Sequence, residues 1–166
     1  MRILGIDPGL KATGYGFLDS VNGTIKLLEI GVIKTNPKDK LELRLKEVYN
    51  LLNTLLSQYN PDVMVLEKLY AHYKHPMTAS ILGHVRGVIC LASAQNSVEL
   101  IEQSPKRIRK AVIGNGNASK EQMRSAVSSK FSLQEKSVSL DASDAVSLAL
   151  GYVYINKFFC GKGENI

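Results

Sequence analysis

The chain contains no tryptophan, two cysteines, three histidines and four phenylalanines among its 166 residues. Cys90 and Cys160 form neither a disulfide framework nor a metal spacing, which excludes a cross-linked scaffold and a thiolate zinc centre. Cys90 lies in an apolar helical run and is expected in the core; so sparing a use of thiols suits a reducing cytoplasm. The histidines, His72, His75 and His84, offer no zinc spacing. No uninterrupted apolar run reaches membrane-spanning length, and Asp7 arrives too soon for a signal peptide. The expectation is a soluble cytoplasmic protein with no membrane partner. Internal repeats, low-complexity tracts and linkers are also missing. With 45% hydrophobic and 22% charged residues, the chain should fold as one domain over 1–158, followed by a short tail over 159–166.

What the chain has in excess is positive charge: 21 Lys and Arg against 15 Asp and Glu give +6, with a pI of about 9.3. Ordinary solubility and a nucleic-acid footprint both produce such a surplus, so position must choose between them. The densest cluster, Lys106, Arg107, Arg109 and Lys110, directly follows Ser104-Pro105, an N-cap with proline at the first helical position.

Pattern gives the element order. Strands are expected over 1–7, 13–18 and 24–34, with the Asn22-Gly23 hairpin turn between the last two and a kink at Gly31. Leu41, Leu45, Val48, Leu52, Leu55 and Tyr59 recur at steps of three and four, so 41–59 reads as an amphipathic helix ended by Asn60-Pro61. A strand over 62–67, a loop over 68–76, a helix over 77–95 and a strand over 98–102 follow. Then come a short helix over 106–111, a helix opened by the Ser119/Gln122 capping box, a loop over 135–140 and a last helix from Asp141 to about Phe158. A helical crossover joins parallel strands. The first and fourth strands become parallel neighbours, and their carboxyl ends meet at a topological switch point, where open α/β sheets bind ligands.

Four acids fall at telling places. Asp7 ends the first strand in Gly-Ile-Asp-Pro-Gly, and Glu67 ends the fourth. Asp141 and Asp144 stand three residues apart, on one face of the last helix. Each has an ordinary explanation: a turn, a strand end, an N-cap, a first-turn acid. Together they could converge, and converging carboxylates need cations; Mg²⁺ prefers such oxygen ligands. Two ions about 4 Å apart can activate water and stabilise a leaving 3′ oxygen.

Gly5-Ile6-Asp7-Pro8-Gly9 with Thr13-Gly14-Tyr15-Gly16 closely resembles the opening of the RuvC crossover-junction endonucleases. Glu67-Lys68-Leu69-Tyr70, Leu82-Gly83 with Arg86-Gly87-Val88, Val112-Ile113-Gly114-Asn115-Gly116 with Ala118-Ser119-Lys120, and Asp141-Ala142-Ser143-Asp144-Ala145 resemble that family's further motifs, in order and with its spacing, over about 1–157. The resemblance implies an α/β ribonuclease-H-like fold with a five-stranded mixed sheet flanked by helices. It also implies symmetrical nicking of Holliday junctions by a homodimer and a branch-migration motor as partner. Asp7, Glu67, Asp141 and Asp144 would be the catalytic metal ligands, holding two Mg²⁺ per subunit, with Mn²⁺ as the substitute. Some relatives carry histidine where this chain has Asp141. Tyr70 would stack on an unpaired base, with Tyr73 a second candidate, and Arg109 and Lys120 fall where the family uses basic residues near the scissile strand. Lys106, Arg107 and Lys110 are expected at the DNA backbone from their place beside Arg109 in the cluster after the fifth strand. Arg86 stays open between a DNA contact and an interface ion pair. The helix over 77–95 is expected in the dimer interface.

Three other functions remain on the sequence alone. An RNA nuclease on the same fold would use the same acids. A sugar-kinase-like phosphotransferase has a similar acid-and-glycine hairpin, but this chain lacks the second copy that such enzymes carry. A junction-binding module without catalysis would need none of the acids.

Overall fold

A computed structural model describes residues 1–68 and 76–160, with 76, 136 and 157–160 described by backbone only. The expectations for Tyr70, Tyr73, His72, His75 and most of the tail lie outside these residues. Three strands form an antiparallel meander: β1 (Arg2–Asp7), β2 (Ala12–Val21) and β3 (Thr24–Lys34). Asn22 and Gly23 both have positive φ, 48° and 81°, as a two-residue primed turn requires. Gly31 does not kink β3. It stays paired with Tyr15, and the irregularity falls between Phe17 and Leu18, where Leu28 is the extra residue on the facing strand.

Helix α1 (Leu41–Tyr59) then crosses over to β4 (Val63–Glu67), and α2 (Pro76–Gln95) to β5 (Glu99–Gln103). Both strands run parallel to β1, and the sheet order is β3-β2-β1-β4-β5. Helices α3 (Pro105–Ile113), α4 (Lys120–Lys130), a 3₁₀ turn (Glu135–Ser137) and α5 (Leu140–Cys160) complete the chain. The 3₁₀ turn replaces part of the expected loop, and α5 starts one residue earlier and runs further than expected.

Period-two alternation divides the strand side chains between two cores. Leu4, Ile6, Met64 and Leu66 face α1 and α2, where Val48, Leu52, Leu56, Val85 and Ile89 complete one core. Ile3, Val63 and Val65 face the other way, onto Ile108, Val127, Val146, Leu150 and Val153 of α3, α4 and α5. Continuing that alternation sends Asp7 and Glu67 to the α5 side. Cys90 is exposed, not core. Helix α2 buries a stripe through Val85, Ile89 and Ala92, and Cys90 lies one residue, about 100°, off that stripe.

The same helix has a second property, although His84 and Arg86 interrupt its apolar run. Met77–Gln95 is long and apolar enough to cross a bilayer, although only 28% of that stretch is buried. Its apolar residues are divided: one face packs on the sheet, while Met77, Ile81 and Leu91 stand 74%, 37% and 52% exposed.

Candidate active site

Glycine brings the final helix to the acids. Gly14 pairs with Asp7 across the β1–β2 ladder. A Cβ at Gly14 would collide with the main-chain oxygen of Asp141, and one at Gly5 with that of Ala145. Helix α5 therefore lies directly on bare backbone beside Asp7, closer than any side chain would allow. The start of α5 is fixed by Ser139, whose hydroxyl accepts the amide of Ala142 at 3.2 Å. Asp141 is thus not the N-cap, and its carboxylate is spared that bond.

At the neighbouring strand end, Glu67 is held by main-chain bonds. Lys68 donates its amide to the Gln103 carbonyl at 2.8 Å, extending the β4–β5 ladder past its last pair. The Glu67 carbonyl accepts from Arg86 Nη1 at 2.7 Å. The other Arg86 nitrogen, Nη2, forms an ion pair with Glu102 on β5. Arg86 is 9% exposed, so within the described residues it turns into the fold rather than toward DNA or a second chain.

The four acids share one electrostatic field. Burial, then Asp144, with further contributions from Glu67 and Asp141, pushes the Asp7 carboxyl up to about 7 against an opposing pull from Lys120. Glu67 is raised by burial and by Asp144, while Lys120, Arg109 and Arg86 oppose the rise. Lys120 places its ammonium 2.6 Å from Asp144 Oδ2, and that bond raises the lysine. A cavity of about 110 Å³ opens here, with Glu67, Asp144, Arg109, Lys120 and Ser147 in its wall. Asp7 and Asp141 stand outside that wall; Asp7 acts through charge on Lys120, and Asp141 on Asp7.

The donor set is entirely carboxylate oxygen, which suits a hard dication and not zinc. Among the described residues no three acidic, histidine or cysteine side chains are close enough together, as they stand, to grip one ion. Lys120 places one positive charge among the acids, paired with Asp144.

Of the expected basic residues, Arg109 and Lys120 reach the cavity. Lys106, Arg107 and Lys110 are exposed on α3 without lining it. Sequence reasoning missed Ser147, which shares a helix face with Asp144 at i+3, and the inward course of Arg86. A lone arginine inside an apolar helix is the signal that could have found the latter, because a buried guanidinium needs partners.

A mixed sheet with an antiparallel meander, two parallel additions, helices on both faces and acids at the switch point defines a ribonuclease-H-like α/β fold. Comparison with known proteins narrows this. The family described as crossover junction endodeoxyribonuclease RuvC matches residues 3–152. A curated protein of that name from Rhodopirellula baltica is 41% identical over 148 residues, 89% of this chain and 83% of the relative. One from Desulforamulus reducens is 36% identical over 162 residues, 98% of this chain and 99% of the relative. The structure of T. thermophilus RuvC in complex with Holliday junction substrate shares the fold, with a TM-score of 0.87, 23% identity and 96% of each chain covered. The chain belongs to the RuvC family.

Proposed function

We propose that this protein is a divalent-metal-dependent endonuclease that resolves four-way DNA junctions by paired symmetrical nicks, in recombination and repair. One observation carries the reading: acids from three separate elements meet at the switch point of a RuvC-family fold, where Asp144, Glu67 and Asp141 all raise the Asp7 carboxyl and Asp144 raises Glu67, with Lys120 and Arg109 beside them. Relatives across 83–99% of their length are named crossover junction endodeoxyribonucleases, and the T. thermophilus protein is seen with Holliday junction substrate.

Asp7, Glu67, Asp141 and Asp144 would hold the metal, with Mg²⁺ as the ion and two per subunit. Bound there, the ions would supply an activated water and charge stabilisation at the leaving 3′ oxygen. The protein's own part is chemical placement. Asp7 and Glu67, on strand ends, are fixed by the sheet, and Asp144 by the first turn of α5. Lys120 can leave Asp144 for a phosphate oxygen, while the planar Arg109 guanidinium is shaped to bind a phosphate through two parallel bonds. Lys106, Arg107 and Lys110 extend positive charge along α3 for the DNA backbone.

The outward face of α2, with Met77, Ile81 and Leu91 exposed, is the surface we assign to a symmetric dimer. A two-fold axis would present two sites to two strands of like polarity. Family kinship adds a branch-migration motor as partner, and the cytoplasm as the place of action. The test is cutting of a synthetic four-way junction with Mg²⁺, with matched duplex and RNA substrates alongside. Paired nicks in the junction are expected, reduced to background by Asp7→Asn, Glu67→Gln or Asp144→Asn, with junction binding kept. Preferential cutting of RNA would replace this reading with the ribonuclease alternative. Full cutting by Asp7→Asn would remove the acids from the chemistry.

A further inference from the structure

We infer that Arg86 is the positioning residue of the second acid: its guanidinium, reaching inward from α2, fixes the end of β4 and so decides where the Glu67 carboxylate stands. This deepens the function proposed above and rests on it for the role of Glu67.

The geometry is specific. Arg86 stands one residue past Val85, on the flank of the buried stripe of α2, and its side chain is nevertheless only 11% exposed. A cation in that position is costly unless its donors are used. Both Nη groups are used, on different strands. Nη1 donates to the Glu67 main-chain oxygen at 2.7 Å, and Nη2 pairs with the Glu102 carboxylate. Glu67 is the last residue of the ladder with β5, opposite Gln103. Its carbonyl therefore sits where the sheet stops supplying partners, and Arg86 takes that place. On the far side of the same peptide, the Lys68 amide is held by Gln103. The peptide following Glu67 is thus pinned through both its polar groups, and the carboxylate projects from a fixed backbone into the cavity wall.

Only an arginine suits the task. A planar fork can donate in two directions at once, toward a carbonyl on one strand and a carboxylate on the next. Lysine carries the same charge as a single point on a flexible stem. The strut also crosses β4 and β5 from the helix layer, so the strand end is tied to a rigid element rather than to the segment that follows it. Small errors in ligand placement have large consequences for affinity and rate, and partners one step behind metal ligands carry a comparable weight.

The experiment compares Arg86→Lys with wild type in the full chain. It measures single-turnover cutting of a synthetic four-way junction against Mg²⁺ concentration, Mg²⁺ binding by calorimetry without DNA, junction binding in EDTA, and thermal unfolding. Arg86→Lys is expected to fold and to bind the junction within about two-fold of wild type. Its Mg²⁺ affinity and its cutting should fall by about 10–100-fold, with cutting partly restored at high Mg²⁺. Glu102→Ala, at a side chain 46% exposed whose loss the fold should tolerate, should move the same readouts in the same direction by less. Wild-type Mg²⁺ affinity and cutting in Arg86→Lys would overturn the assignment. So would a loss of junction binding that matches the loss of cutting, because Arg86 would then be a DNA contact. If Arg86→Lys does not fold, Glu102→Ala takes its place, and wild-type Mg²⁺ affinity and cutting in that variant would overturn the assignment instead. A wild type that cuts no junction would sink the proposed function, and the calorimetry would still test Arg86.

Discussion

At the scale of single residues, Asp7 is the group whose chemistry the fold alters most. An isolated aspartate loses its proton near 3.8, whereas here burial and the Asp144 charge hold it to about 7. Between those values the folded state binds more protons than the unfolded one. Stability from this group is therefore present at low pH and is lost as pH rises through about 7. In scanning calorimetry the metal-free protein should melt lower at pH 8 than at pH 5. Asp7→Asn should flatten that slope and raise the pH 8 melting point, and Mg²⁺ should stabilise wild type more at pH 8 than at pH 5. Equal slopes for the two proteins would show that Asp7 does not carry the strain. Arg109 supports a separate expectation. If it meets one phosphate, Arg109→Ala lowers the slope of log binding constant against log salt by about one, measured by fluorescence anisotropy.

At the scale of elements, the site depends on how closely α5 lies against β1 and β2. Gly14→Ala would set a methyl group against the Asp141 carbonyl, and the helix must shift to accept it. We expect a stability loss of about 1–3 kcal/mol in urea titration, from overpacking, together with loss of cutting, since the displaced turn carries two of the acids. Ser139→Ala, which removes the α5 cap, should cost about 1 kcal/mol while leaving the helix face, and hence some cutting, intact. If Gly14→Ala were as stable and active as wild type, the close approach of α5 would not be what assembles the site.

At the scale of the whole molecule, α2 faces two ways. Its inner stripe, through Val85, Ile89 and Ala92, closes a core, Arg86 reaches inward from the flank of that stripe, and Met77, Ile81 and Leu91 are left in the open. The second copy of the chain proposed above would cover these three residues. Leu91→Glu should shift sedimentation from dimer toward monomer and turn paired nicks into slower, unpaired ones. A protein that remains dimeric with Leu91→Glu would move the interface elsewhere.

Much of this was legible in one dimension, because it depends on local rules. Asn22-Gly23 forces a primed turn whatever surrounds it, Ser119 and Gln122 close their own capping box, and the steps of α1 mark its buried side. The alternation along β1 and β4 even decides which face Asp7 and Glu67 take. What local rules could not supply was decided by packing between distant segments. Cys90 and Arg86 stand four residues apart on one flank of α2, yet Cys90 is exposed and Arg86 is buried, because Arg86 reaches the ends of β4 and β5. Asp141 reads as a cap until Ser139 is seen to take that role. The approach of α5 to Gly5 and Gly14, and the grip of Arg86 on the Glu67 carbonyl, join residues separated by long stretches of chain, and such contacts exist only once the cores on both faces of the sheet have closed.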